Sequence, residues 1–175
     1  MLLGRYDDTT NKVENLVILH GYEDTICQKN WAPFIHKDKL LIVYSYDPLV
    51  ILCPNVKTGH CTVYKNSVQK YNYSNYRGGS PGFYINGELY FIIHEVSFDN
   101  GRIYYHRIVK MDSNLEIEKV SAPFYFNKLG IEYVVGAVYD KKCDRILISW
   151  GCDDKEAHLS AIHTDDFKKI MRYGD

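Results

Sequence analysis

The chain has 175 residues and a formal net charge of −1, and its residues are 46% hydrophobic and 25% charged. These values are ordinary for a globular domain and argue against disorder over most of the length. A charge this close to zero supplies no field that would attract nucleic acid or an anionic membrane, so we expect neither as a partner.

The N-terminal stretch MLLGRYDDTTNK has no apolar segment of the length that a signal peptide or a membrane span requires. We therefore expect a cytoplasmic protein. The five cysteines are Cys27, Cys53, Cys61, Cys143 and Cys152. Since they are odd in number and form no C-x-x-C pair, we expect reduced, mostly buried thiols and no zinc site. No other His, Cys or carboxylate spacing predicts a metal site.

Short runs rich in Val, Ile, Leu and Tyr follow one another along the chain and favour strands over helices. The predicted strands cover residues 13–20, 40–46, 49–53, 61–64, 82–85, 89–96, 103–111, 117–120, 133–139, 145–150, 158–163 and 168–173. The turn sequences between them include His36-Lys37-Asp38, Lys57-Thr58-Gly59, Asn86-Gly87 and Asp99-Asn100-Gly101. Turns of this kind join antiparallel strands, so the sequence predicts an all-β fold.

Three segments of the chain repeat one order of features: KNWAPFIHKDKLLIVYSYDP, RGGSPGFYINGELYFIIHEV and VVGAVYDKKCDRILISWGCDD. Each has a polar or Gly/Pro-rich entry, a short strand, a turn, a strongly apolar strand and a polar exit. A repeat of about 50 residues with four strands is typical of a β-propeller blade. We therefore predict a single β-propeller-like domain over residues 1–175, with approximate blades at 27–75, 76–125 and 126–173. Residues 1–26 would supply the outer strand of a preceding blade.

The number of predicted blades is too small for a closed ring, which normally needs at least about four. The predicted fold is thus about three four-stranded blades of an incomplete five-bladed propeller. Uncovered blade edges are prone to pair with other strands. The protein is therefore expected to form a homo-oligomer or to lack N-terminal blades, unless the blade interpretation is wrong.

The order of the motifs resembles that of a known group of enzymes. K-N-W-x-P-F is followed by Y-S-x-D-P, R-G-G-S-P, an apolar strand that ends in His, Y-Y-H and S-W-G-x-x-D. Over residues 10–165 this order is similar to the C-terminal blades of the five-bladed propeller glycosidases that include the β-mannoside phosphorylases, and of the related β-mannosyltransferases. The resemblance implies a mannose-type sugar or oligosaccharide as ligand. It also implies inorganic phosphate or a sugar phosphate as co-substrate, with no other cofactor.

The resemblance also implies roles for individual residues. Lys29 and His94 would contact phosphate together with Arg77, and Asp153 would line the sugar pocket. A cationic cluster can hold phosphate, and a carboxylate can accept hydrogen bonds from sugar hydroxyls. The candidate substrate-binding residues are Lys29, Asn30, Asp47, Arg77, His94, Tyr105, His106 and Asp153.

The catalytic half of the family's site has no counterpart in the sequence. The resemblance implies an aspartate as proton donor, in a blade that precedes the matched region. The Asp7-Asp8 and Glu23-Asp24 pairs lack the Pro-Arg context of that aspartate, so the catalytic residues stay unassigned. Because glycosyl transfer needs an acid at the leaving oxygen, two functions stay open: an incomplete carbohydrate-active enzyme, or a non-catalytic module that binds glycan or protein. A purely structural β-repeat protein is a third.

Several motifs also have a structural interpretation. Trp31 and Trp150 can pack between blades, and the histidines can be structural. R-G-G-S-P can be a tight connection, and Asp153-Asp154 can form a turn. The convergence of separate motifs on one end of the predicted fold favours the functional interpretation.

Overall fold

The structure is a computed structural model, and it describes residues 1–23, 28–98 and 101–171. It contains thirteen strands in four antiparallel sheets, and the described residues include one short helix. The prediction of an all-β fold is confirmed.

The strands in chain order are β1 (Leu2–Asp7), β2 (Lys12–Ile18), β3 (Ala32–His36), β4 (Lys39–Tyr46), β5 (Leu49–Pro54), β6 (Cys61–Ser67), β7 (Phe83–Ile85), β8 (Glu88–Ser97), β9 (Ile103–Met111), β10 (Ile117–Val120), β11 (Glu132–Asp140), β12 (Arg145–Cys152) and β13 (Glu156–His163). Helix α1 (Thr164–Ile170) follows β13. Strands that are consecutive in sequence are neighbours in each sheet. We call β1–β2 the N-terminal hairpin, β3–β6 the first sheet, β7–β10 the second sheet and β11–β13 the third sheet.

Two-residue turns open the first and second sheets in the same way. Lys37 and Asp38 join β3 to β4 with φ of 49° and 61°, and Asn86 and Gly87 join β7 to β8 with φ of 51° and 88°. Positive φ at both central residues matches the twist of the flanking strands, and Asp38, Asn86 and Gly87 are residue types that adopt it readily. In the predicted turn Asp99-Asn100-Gly101, residues 99 and 100 lie outside the described residues.

Two apolar layers hold the three larger sheets against one another. Phe34 of the first sheet meets Phe91 of the second edge to face, with ring centroids 5.4 Å apart. On the other face of the second sheet, Ile92 packs with Val134 and Trp150 of the third. Since successive residues of a strand point to opposite faces, β8 is buried on both sides and is therefore apolar throughout most of its length.

The strand predicted over residues 168–173 is wrong, because α1 occupies residues 164–170. His163 accepts a hydrogen bond from the Asp165 backbone N–H and caps the helix. Two aspartates lie in the first turn and two lysines in the last, which complements the helix dipole. Phe167 fills the space beside Phe83 and Tyr90 of the second sheet. A helix thus stands where a fourth strand was predicted; residues 172 and 173 lie outside the described residues.

The N-terminal segment also differs from the prediction of one outer strand. Residues 2–18 form two strands that pair with each other and not with another sheet. The Asp7 carboxylate accepts hydrogen bonds from the backbone N–H groups of Thr9 and Thr10, and these bonds stabilise the tight turn between β1 and β2. The described residues thus contain two four-stranded sheets, one three-stranded sheet and one two-stranded sheet, and they form no closed ring.

The cysteines that the structure describes are all free thiols: Cys61 and Cys152 are buried, Cys53 is partly buried and Cys143 is exposed. Cys27 lies outside the described residues. Within residues 1–23, 28–98 and 101–171, no helix has the length and apolar character needed to cross a membrane.

Candidate functional site

A cavity of about 420 Å³ lies at one end of the three larger sheets, and we call it the cationic pocket. Its walls come from the segments that precede β3 and β7, from the β8–β9 connection and from the start of β11. The lining residues are Lys29, Asn30, Asn75, Arg77, His94, Val96, Phe98, Arg102, Tyr104 and Tyr133. None of these residues has a carboxylate.

The R-G-G-S-P segment brings the walls of the cationic pocket together. A Cβ added to Gly78 would lie 2.1 Å from the backbone oxygen of Asn30, and one added to Gly79 would lie 2.5 Å from Val134 Cγ1. Only glycine allows approaches this close. Ser80 is fully buried, and its hydroxyl accepts a hydrogen bond from the Ile92 backbone N–H. The segment therefore fits between the first and third sheets and positions Arg77 at the rim of the pocket.

Three cations line the pocket: Lys29, Arg77 and Arg102. None of them forms an ion pair with a carboxylate among the described residues. Arg77 Nη1 donates to the Tyr76 carbonyl oxygen, which fixes the guanidinium, and Arg102 donates to the Tyr104 hydroxyl. Three exposed cations around one small cavity, with no carboxylate among the described residues of its lining, favour an anionic ligand.

His94 lies in the wall of the cationic pocket and is 3% exposed. Its pKa is lowered from 6.5 to about 4, mainly by burial and secondly by the nearby Arg77 guanidinium, with smaller effects from Lys29 and Arg102. A hydrogen bond to the Gly78 backbone partly offsets this shift. The ring is therefore neutral near pH 7, and its Nδ1 atom has no hydrogen-bond partner in the structure.

Two tyrosines enclose the His94 ring. The ring centroid of Tyr104 lies 5.3 Å from that of His94, and the Tyr133 centroid lies 5.0 Å away, edge to face. Tyr133 donates from its hydroxyl to Asn30 Oδ1 over 3.4 Å. Burial raises the pKa of Tyr133, so its hydroxyl stays protonated at neutral pH. The pocket wall thus combines cationic groups with flat apolar surface.

A second cavity of about 240 Å³ adjoins the cationic pocket and shares Lys29, Asn30 and Arg77 with it. We call it the aromatic pocket. Its other lining residues are Gln28, Trp31, Tyr44, Ser45, Tyr46, Tyr76 and Gly78. The Tyr46 hydroxyl is buried without a hydrogen-bond partner, and burial together with the nearby Tyr133 raises the Tyr46 pKa. The two pockets therefore share a polar boundary between aromatic walls.

The structure brings four of the eight candidate residues into the cationic pocket: Lys29, Asn30, Arg77 and His94. They come from two different repeats. Arg77 pairs with His94 through two backbone hydrogen bonds, of 2.8 and 3.0 Å, and this pairing places the cation beside the imidazole.

The other four candidates lie outside the lining of both pockets. Tyr105 is on the face of β9 that also carries Arg107, opposite to Tyr104. His106 is fully buried between Phe124 and Phe126.

Asp47 and Asp153 each have a local partner. Asp47 accepts a hydrogen bond from the Tyr73 backbone N–H. Asp153 has a φ of 54° at the turn between β12 and β13, and its carboxylate pairs with Lys128 over 2.6 Å. The substrate-binding role of Asp47 and the place of Asp153 in the sugar pocket remain predictions.

Sequence reasoning missed Arg102, Tyr104 and Tyr133. The alternation of β9 was the available signal for Tyr104, because Tyr104 and His106 share a face and Tyr105 cannot. Arg102 directly precedes β9 and Tyr133 is the second residue of β11, and neither position carries a motif that marks a site.

The described residues hold no group of three or more metal-ligating side chains that could bind an ion. The site is therefore defined by its cations, by one neutral imidazole and by aromatic rings. The chain matches no protein-family model and no curated protein.

Proposed function

We propose that the protein binds phosphate, or the phosphate group of a sugar phosphate, in the cationic pocket. The observation that carries the proposal is the convergence of Lys29, Arg77 and Arg102 on one cavity, whose described lining residues include no carboxylate. Phosphate has several acceptor oxygens, and it binds most strongly to charged donors such as guanidinium and ammonium groups.

A hexose, such as mannose, would occupy the adjoining aromatic pocket. Trp31 and Tyr44 meet there edge to face with centroids 5.4 Å apart, and Tyr76 adds a further ring. Flat aromatic faces suit the apolar faces of a sugar ring, while the amide of Asn30 and the hydroxyl of Ser45 can hydrogen-bond its hydroxyls. The shared boundary of the two pockets would place sugar and phosphate side by side.

The three larger sheets would be blades of a propeller-type arrangement. Their sequential strand order and the two apolar layers between them support this architecture. Further blades, from additional chain or from a second copy, would then be needed to complete a ring. The order of motifs that resembles the mannoside phosphorylases and mannosyltransferases supports the same proposal.

Binding without catalysis is the second candidate function. Within residues 1–23, 28–98 and 101–171, neither pocket is lined by a carboxylate. Since phosphorolysis or transfer needs an acid at the leaving oxygen, this lining favours a non-catalytic module. As an enzyme, the protein would require an acid from another part of a complete assembly.

Calorimetric titration of the purified chain with phosphate tests the proposal. We expect saturable binding that weakens as the salt concentration rises, because exposed cations are screened. Arg102→Gln and Lys29→Ala should each weaken phosphate binding by about tenfold, which corresponds to one charge-assisted hydrogen bond. Addition of mannose to the phosphate-loaded protein should give a second binding signal.

Lys141→Ala provides the matched control, because Lys141 is an exposed lysine in the β11–β12 turn, away from both pockets. Its phosphate affinity should equal that of the wild type. A folded wild-type chain that binds no phosphate would overturn the proposal, as would equal losses in Lys29→Ala and Lys141→Ala.

A further inference from the structure

A cavity of about 740 Å³ lies between the N-terminal hairpin and the first sheet, and we call it the hairpin groove. Its walls come from β1, β2, β4 and the turn between β5 and β6. It shares no lining residue with the cationic pocket or the aromatic pocket. A cavity of this size can hold most of a small organic molecule.

Backbone hydrogen bonds fix the two sides of the hairpin groove relative to each other. The His20 N–H donates to the Gly59 carbonyl over 3.1 Å, and the Cys61 N–H donates to the His20 carbonyl over 2.8 Å. A Cβ added to Gly59 would lie 2.0 Å from the Ile18 backbone oxygen, so the β5–β6 turn and the end of β2 are in direct contact. The groove therefore lies between two attached parts of the fold.

The lining of the hairpin groove is mainly apolar and continues an apolar cluster of the first sheet. Leu3 packs against the cluster that contains Ile42. Leu40 lies on the same face of β4 as Ile42 and is only partly buried. Leu16 is 60% exposed and Val56 is 56% exposed. Because burial stabilises apolar surface that is otherwise in water, this lining favours an apolar ligand.

Among the described residues, the charged members of the lining are both cations, Arg5 and Lys57. Neither forms an ion pair with a carboxylate of residues 1–23, 28–98 or 101–171. Glu14 pairs with Arg5 across the hairpin backbone, but it does not line the groove. Asn15 adds an amide to the lining. The charge of the groove therefore matches a ligand with an anionic group.

We propose that the hairpin groove binds a free fatty acid, an amphiphile with one alkyl chain and a carboxylate head group. The alkyl chain would cover Leu16, Leu40 and Val56, and Arg5 and Lys57 would hold the carboxylate by charge-assisted hydrogen bonds. An inorganic anion would leave the apolar lining in water, and a neutral hydrocarbon would leave both cations without a partner. The binding site is separate from the one in the proposed function.

Calorimetric titration of the purified chain with decanoate, below the concentration at which it forms micelles, tests the proposal. We expect saturable binding of one molecule. Hexanoate should bind at least about tenfold more weakly, because each buried CH₂ group contributes about fourfold to the affinity. Decyltrimethylammonium has the same alkyl chain with a cationic head group, and it should also bind at least about tenfold more weakly, because Arg5 and Lys57 repel it.

Substitutions in the hairpin groove test the role of its cations. Arg5→Gln and Lys57→Gln should each weaken decanoate binding by about fivefold, the effect of one partly screened charge. Lys12→Gln is the matched control, because Lys12 is an exposed lysine of the same hairpin that does not line the groove. It should keep the wild-type affinity. Circular dichroism establishes that each variant is folded, and the three wild-type affinities decide the question if none of them folds.

Three results would overturn the proposal. The first is a folded wild-type chain that binds decanoate no more tightly than hexanoate or decyltrimethylammonium. The second is an equal loss of affinity in Lys57→Gln and Lys12→Gln, since it would indicate adsorption to any cation of the surface. The third is a dimer, measured by light scattering, that Leu16→Asp converts to a monomer, because a second copy would then cover the groove. Phosphate titration of the same samples tests the proposed function separately, since the two sites share no residue.

Discussion

Two buried histidines, His94 and His106, lie directly opposite each other on β8 and β9. Neither ring nitrogen of His106 has a hydrogen-bond partner, and its ring packs 4.7 Å from that of Phe126. Burial lowers the pKa of His106 to about 3 and that of His94 to about 4. Protonation would place a charge between Phe124 and Phe126 at His106 and beside the Arg77 guanidinium at His94, so the folded state favours the neutral form of both rings.

This pair predicts that acid destabilises the protein. Both pKa values are lower in the folded state than the ordinary value of 6.5, so the unfolded chain binds more protons below that pH. The histidine contribution to stability is thus complete above pH 6.5 and is lost as the pH falls from 6.5 toward 4 and 3. Each histidine should lower the free energy of unfolding by about 1.4 kcal/mol per pH unit within that window.

Urea unfolding at intervals between pH 7.5 and 4.5 measures this slope. His106→Phe should fold and should show a smaller slope, because one of the two buried imidazoles is gone. His158→Phe is the comparison, since His158 is a half-exposed histidine that stacks on Trp150, 4.3 Å away. A slope that is the same in the wild type and in His106→Phe would contradict the prediction.

At the scale of the residue, the sequence could predict chemical type better than orientation. Lys29, Arg77 and His94 could be selected from the sequence because polar groups at strand ends stand out as motifs, and all three line the cationic pocket. Tyr105 and His106 were predicted together, although adjacent residues on a strand face opposite sides of the sheet. Which face of β9 meets the pocket depends on how the second and third sheets pack, and the local sequence does not contain that information.

At the scale of the element, residues 77–82 are bonded to the first and second sheets and begin at Arg77, which lines the cationic pocket. The Gly82 backbone N–H donates to the Pro33 carbonyl in the first sheet, and the Ser80 N–H donates to the Ile92 carbonyl in the second. The segment is thus hydrogen-bonded to both the first and the second sheet, and its Gly78 lies directly against the Asn30 backbone. The sequence marked R-G-G-S-P as either an anion site or a tight connection, and the geometry has the features of a tight connection beside a cationic cavity.

We predict that Gly78→Ala destabilises the protein and weakens phosphate binding. The added Cβ would lie 2.1 Å from the Asn30 backbone oxygen, so Asn30 and its neighbour Lys29 must move. The cost should be about 2 kcal/mol or more, as for other forced repacking. Thermal unfolding and phosphate titration measure the two effects.

Gly151→Ala is the control for this prediction, because its Cβ would make only an ordinary contact, 3.5 Å from the Glu156 backbone oxygen. It should change the free energy of unfolding by less than about 1 kcal/mol. If Gly78→Ala proved as stable as Gly151→Ala and bound phosphate normally, the close approach of Gly78 to the Asn30 backbone would have no role in shaping the pocket.

Helix α1 shows where element prediction from local sequence fails. TDDFKKI has an acidic start, a basic end and Phe167 spaced to face the core, all of which favour a helix. The expectation of a fourth strand came from the repeat and overrode these local signals. The helix lies where Phe167 can cover Phe83 and Tyr90, so tertiary packing and local propensity agree on a helix.

At the scale of the whole molecule, the repeat in the sequence is visible as contacts between equivalent positions. His36 and Tyr84 are 48 positions apart, and a ring nitrogen of one lies 3.2 Å from the hydroxyl of the other. Lys65 and Asn114 are 49 positions apart, and the Lys65 ammonium donates to the Asn114 carbonyl. Contacts at one sequence separation are expected where similar sheets stack in order.

The number and size of the sheets were less predictable than their order. A repeat predicts that sheets follow one another, but it does not determine whether the last unit has a fourth strand or whether a hairpin precedes the first. Those features depend on which apolar surfaces must be covered at the ends of the stack. Leu16 and Ile18 of the N-terminal hairpin and Leu159 of β13 are exposed there.

The most direct test of the central claim is a crystal structure of the wild-type chain grown with phosphate at pH 7.5. We expect a phosphate ion in the cationic pocket, with its oxygens within about 3 Å of Lys29, Arg77 and Arg102, the range of charge-assisted hydrogen bonds. An empty cationic pocket in crystals that hold phosphate elsewhere on the protein would contradict it.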